Sequence, residues 1–174
     1  MSPDRADAKS YNAATELVDG AIARGFADKV AFCDGARALT YAELRERTWR
    51  MAAAFAALGL KPESRIALLL HDGVDFPVAF WGAVRAGMVA VPFNTFVNAE
   101  QYACMLADSR AQALVAAAPL ARALEPILAR APRLRALILA GATGEDKAAQ
   151  TLGARPLAPV AQIRGMAAHL RLVS

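Results

Sequence analysis

Residues 65–95 read RIALLLHDGVDFPVAFWGAVRAGMVAVPFNT. The opening run, Arg65 to Leu70, is continuously apolar after its first residue, which suits a strand buried on both faces as in a parallel sheet. Val74 to Ala86 reads as a helix, with Pro77 in the first turn where its missing N–H costs little. Gly87 ends that helix, and MVAV (Met88 to Val91) is a second buried strand closed by Pro92. Strand, helix and strand in so short a span are the unit of a parallel α/β sheet.

The pattern extends in both directions. On the C-terminal side, Asn98 and Gln101 have the spacing of a capping box for a helix NAEQYACMLADS. ALVAA (Ala113 to Ala117) is a strand, LARALEPILARA a helix that Pro126 can kink, and LRALILA (Leu134 to Ala140) a fourth strand. On the N-terminal side, Thr40 and Glu43 form a capping box for a helix running through ELRERTWRMAAAFAAL to Gly59. Leu44, Trp49, Met51, Ala52, Phe55 and Leu58 supply its apolar side. Before it, KVAFCDGARALTY holds two apolar runs around Asp34-Gly35, a β-hairpin signal. Asn12 to Arg24 places Leu17, Val18, Ala21 and Ile22 on one helical face.

The expected fold class is therefore α/β: a doubly wound, mainly parallel sheet with helices on both faces, preceded by an N-terminal helix and hairpin. Residues 1–11 read as a disordered lead-in, 12–144 as one α/β unit, and 145–174 as an irregular tail or the start of a further subdomain. Within that tail only a short strand near Pro159 to Ile163 suggests itself.

Composition excludes several classes. The 174 residues are 56% hydrophobic, which argues for a substantial core, although much of the excess is alanine. Twenty Lys and Arg against 16 Asp and Glu leave a formal charge of +4. The basic residues are scattered rather than interleaved with aromatics, so nucleic acid is not an expected partner. Cys33 and Cys104 lack C-x-x-C spacing and fit buried thiols in a reducing compartment. The polar start MSPDRADAKS is not a secretory signal, and no uncharged apolar run approaches the roughly 18 residues of a membrane span. The expected location is the cytoplasm, away from membranes.

Chemical motifs are few. GAVRAG (Gly82 to Gly87) has the G-x-x-x-x-G spacing of a phosphate loop, but Met88 stands where the lysine belongs. Gly82 is better read as a close-packing glycine. GATG (Gly141 to Gly144) is too short for a cradle. His71 follows a buried strand at the edge where α/β sites gather, with Asp72 and Asp75 beside it. The stronger reading makes Asp72 or Asp75 the cap of the next helix and His71 a loop residue. Trp49 and Trp81 read as core. His169 lies in the tail, Ser109 lacks a nucleophile elbow, and no metal-ligand cluster is present.

Several stretches together resemble one family. LTYAEL (Leu39 to Leu44), the helix after it, residues 65–95 and QYACMLADSRAQALV (Gln101 to Val115) are similar to the amino-terminal signature of the adenylate-forming acyl- and aryl-CoA ligases. NAATELVD at Asn12 and DFPVAFWGA look most like the benzoate–CoA ligase branch. The resemblance covers roughly residues 11–140.

It implies a two-step reaction in which a carboxylate attacks ATP to form an acyl-adenylate and CoA then displaces AMP. ATP, Mg²⁺ and CoA are implied for the parent enzyme. The family's phosphate loop and catalytic lysine match no position here, so the fold is expected to be incomplete and the chain inactive alone. The resemblance leaves Asn94, Phe96 and Arg122 as candidates for the rim of a CoA channel. A second expectation is an interaction module that pairs with itself or with the missing ligase portion through exposed apolar surface.

Overall fold

The computed structural model describes residues 11–128, 131 and 133–140. The expected tail 145–174, with Pro159 to Ile163 and His169, lies outside them, as do Gly141 to Gly144 at the end of the expected α/β unit and residues 1–10.

The chain enters through a π-helical turn, Thr15–Asp19, that passes directly into α1 (Gly20–Ala23). The wider winding changes the angular spacing of its side chains. Val18 and Ala21 are buried as expected, but Leu17 is half exposed, a correction to the single apolar face. Strands β1 (Val30–Cys33) and β2 (Ala38–Thr40) form the expected antiparallel hairpin. Its turn places Gly35 at φ +82°, a conformation that glycine adopts without a Cβ clash.

Thr40 ends β2 and caps α2 (Tyr41–Ala57) in a complete capping box. The Glu43 amide donates to Thr40 Oγ1 at 3.2 Å, and the Thr40 amide donates to the Glu43 carboxylate at 2.8 Å. A main sheet follows, composed of β3 (Arg65–Leu69), β4 (Val89–Pro92), β5 (Ala113–Ala117) and β6 (Ala136–Ala140) in the order β4-β3-β5-β6, all parallel.

Helices cover both faces. α2 and α3 (Asp75–Arg85) pack on one face with Ile66, Leu68, Val115 and Ile138. α4 (Ala99–Ser109) and α5 (Ala118–Leu128) pack on the other with Ala67, Leu69, Leu114 and Leu137. Alternate residues of β3 and β5 thus enter opposite cores, which is why both strands read as unbroken apolar runs. The doubly wound α/β reading holds.

Three expectations are corrected. Among the described residues β4 is an edge strand rather than a buried one, and Val89 is 41% exposed. Trp49 is not core: it is 54% exposed, with the Arg85 guanidinium 4.6 Å above its ring. Cys33 and Cys104 are both exposed rather than buried, Cys33 beside the hairpin turn and Cys104 between the inward-facing Tyr102 and Leu106 of α4.

The N-terminal helical segment is fastened to α3 by polar contacts as well. Arg85, its side chain only 2% exposed, makes two 2.8 Å bonds to the Asp19 carboxylate and donates to Thr48 Oγ1 at 3.2 Å. A buried guanidinium is tolerated only with such partners.

Candidate functional site

β3 and β5 are neighbours, yet the helices that follow them lie on opposite faces of the sheet. Such a reversal leaves a crevice beyond the carboxyl ends of the two strands. Here it is a cleft of about 440 Å³, lined by Asp34, Arg37, His71, Asp72, Asp75 and Ala140 among others.

The hairpin turn forms one wall. Asp34 begins the turn, and its Oδ1 accepts the Arg37 amide at 2.9 Å. Arg37 folds back so that Nε and one terminal nitrogen reach Asp34 Oδ2 at 3.0 and 2.7 Å, while the other nitrogen reaches Asp75 Oδ2 at 3.2 Å. Asp34 Oδ2 also accepts the Val74 amide at 3.2 Å. The hydrogen bonds from Arg37, then that from Val74, hold the Asp34 carboxyl below its usual 3.8, while partial burial works weakly the other way. The bond to Asp34 in turn raises the Arg37 guanidinium.

These contacts correct the expected cap of α3. Neither Asp72 nor Asp75 receives a helix-start amide. Val74 is the N-cap residue without a side-chain cap, and the carboxylate that takes its N–H comes from Asp34, 40 residues earlier. His71 is an exposed loop residue, as expected.

Comparison with known proteins places this fold and cleft in a family: residues 21–164 match that of the AMP-binding enzymes. The chain belongs to the AMP-binding enzyme family. It is 44% identical over 133 residues to the 4-hydroxybenzoate–CoA/benzoate–CoA ligase of Rhodopseudomonas palustris, covering 76% of this chain and 25% of that protein. It is 37% identical over 143 residues to the benzoate–CoA ligase of Thauera aromatica, covering 82% of this chain and 27% of that one. The crystal structure of a benzoate CoA ligase from Burkholderia xenovorans superposes with a TM-score of 0.69 at 35% identity, over 88% of this chain and 28% of the other. The chain therefore spans about a quarter of the length of these relatives, and the expected likeness to the N-terminal part of the benzoate–CoA ligase branch holds.

The side chains of this cleft do not fit a nucleoside triphosphate. Phosphate binding at a helix start requires unoccupied amides and close backbone approach. The Val74 amide is taken, and a Cβ on Gly73 would lie 3.1 Å from Asp34 Oδ2, so a carboxylate already fills the space at the start of α3. Arg37, the one guanidinium among the described residues that line the cleft, is held by two carboxylates. No group of three or more His, Cys, Asp or Glu side chains suited to a metal ion occurs among the described residues.

The three residues suggested for a CoA rim do not line the cleft. Asn94 and Phe96 sit on the loop after β4, where Asn94 Oδ1 accepts the Phe96 amide at 2.8 Å and the Asn94 carbonyl accepts the Tyr102 hydroxyl at 3.0 Å. Phe96 is 94% exposed. Arg122 is an exposed residue of α5, the helix that leaves β5. Because β3 separates β4 from β5, the loop and Arg122 stem from different sides of the central strand. What sequence reasoning missed was Asp34 with Arg37: the Asp-Gly pair signalled a turn, but nothing local showed that the turn would reach α3.

Proposed function

We propose that this chain forms the N-terminal α/β segment of an ATP-dependent CoA ligase that activates an aromatic, benzoate-like carboxylic acid through an acyl-adenylate. The observation that carries the proposal is the 44% identity over 133 residues to a 4-hydroxybenzoate–CoA/benzoate–CoA ligase. ATP, Mg²⁺ and CoA would serve the whole ligase, and the 174 residues alone would not adenylate an acid. The occupied helix start at Asp34 and Val74 supports the second half of this reading. In the parent, Asn94, Phe96 and Arg122 would border the channel for CoA.

Two measurements test it. The chain mixed with ATP, Mg²⁺ and benzoate should release pyrophosphate no faster than a protein-free control; clear turnover overturns the inactivity. A chimera carrying residues 12–140 in place of the matching stretch of the Thauera aromatica ligase should form benzoyl-CoA. In it, Arg122→Ala should raise KM for CoA severalfold and leave KM for benzoate in place. A folded chimera without benzoyl-CoA formation removes the aryl-ligase assignment.

The exposure of Phe96 supports a second role for the chain as a partner surface, pairing with another copy or with the remainder of a ligase.

A further inference from the structure

The hairpin that walls the cleft is an arm held at its base and at its tip. At the base, Leu39 is fully buried, Ala31 packs on the core, and Lys29 O and Ala27 O accept the Tyr41 and Ala42 amides at 3.0 and 2.9 Å. From there outward, Cys33, Gly35, Ala36, Arg37 and Ala38 are all exposed. Two strands without a third are marginally stable in water, so the outer half of the arm depends on its tip.

Among the described residues, the tip makes two hydrogen bonds to the rest of the molecule: Arg37 with Asp75, and Asp34 with the Val74 amide. The chelation of Asp34 by Arg37 joins both contacts into one unit. We propose that the β1–β2 turn is a flap over the cleft, latched to the first turn of α3 by Arg37 and Asp34, and that this latch sets how often the cleft opens.

Breaking the latch removes that wall of the cleft and releases the Val74 amide at the start of α3 in one event, while Leu39 keeps the base in place. His71 and Asp72 are the other ionisable side chains among the described residues that line the cleft. This inference concerns the described fold and does not depend on the ligase reading.

Amide hydrogen exchange on the 174-residue chain at neutral pH tests it. Arg37→Gln should speed exchange at the Val74 amide and at the Asp34 amide, which donates to Arg37 O, on the order of tenfold. The amides of β3 and β5 should keep their wild-type rates. Asp75→Asn, which removes only the tip-to-helix ion pair and leaves the hairpin's own bonds, should move the same two amides in the same direction by a smaller factor. Unchanged rates at both amides in both variants overturn the latch. So does an equal acceleration throughout β3 and β5, because that would make Arg37 a residue of global stability rather than of local opening.

Discussion

Gly82 lies where α3 crosses α2, and its missing side chain sets how closely the two helices approach. A Cβ there would stand 2.5 Å from Met51 Cγ and 2.6 Å from Met51 Cβ. Since one of those atoms is fixed to the α2 backbone, the clash cannot be relieved by a terminal rotation alone. Alanine would raise the intrinsic helix preference of α3 by about 1 kcal/mol. Overpacking a well-filled interface costs about 1–3 kcal/mol. The second effect should win, so Gly82→Ala is expected to lower the urea midpoint without changing the slope of the transition. An unchanged or higher midpoint would show that the helices can separate at little cost. The same interface explains Trp49, which helical spacing alone assigns to the core. Its ring lies outside, beneath Arg85, whose guanidinium is held from the other direction by Asp19. An aromatic that shelters a cation follows the same periodicity as one that fills a core, so its neighbours decide its role.

Among the elements, the two capping boxes were legible before the structure because their chemistry is local: Thr40 with Glu43, and Asn98 with Gln101, each satisfy amides within one turn. The Glu43 box also carries a pH dependence. Hydrogen bonds from the Thr40 amide, then from its hydroxyl, hold the Glu43 carboxyl below the ordinary 4.5. A lowered folded-state value contributes stability above the unfolded value, and this contribution is lost as pH falls through the folded one. Glu43→Gln keeps the geometry without the charge, so the stability gap between wild type and variant should be largest above the ordinary 4.5 and should narrow as pH falls below it. A gap independent of pH would remove the ionised carboxylate from the cap. Asp34 is lowered too, so the variant should retain part of the acid sensitivity. What the sequence pattern could not show was strand order. MVAV in β4 is as apolar as ALVAA in β5, yet one is an edge and the other central. The Val89 and Phe93 amides donate to the carbonyls of Ser64, just before β3, and Leu68 within it, so alternation turns position 92 outward. Pro92 there offers no N–H for a further strand, a known protection of sheet edges.

For the molecule as a whole, the layers were readable from the alternation of strands and helices, whereas the cleft was not. Its walls come from the hairpin, the loop after β3 and the ends of β5 and β6, and only the fold brings Asp34 beside Asp75. The same assembly leaves large apolar side chains outside: Phe96 at 94% exposure, Trp49 at 54%, Val30 at 52% and Leu17 at 50%. Trp49 carries a cation, and Phe96 is the most exposed of the described set, ahead of Tyr11 at 74%. Its loop is not loose, because Asn94 fixes the Phe96 amide, Tyr102 fixes the Asn94 carbonyl, and the Asn98 box follows at once. An aromatic held outward by an ordered loop loses little entropy when a surface closes over it, as interface anchors do. If such a surface is a second copy, sedimentation of the 174-residue chain should show association that grows with concentration, and Phe96→Ser should shift the population toward monomer while thermal stability stays put. Serine removes the ring without touching the core, so the two readouts separate docking from folding. A variant that sediments like wild type at every concentration would leave Phe96 outside any self-association surface.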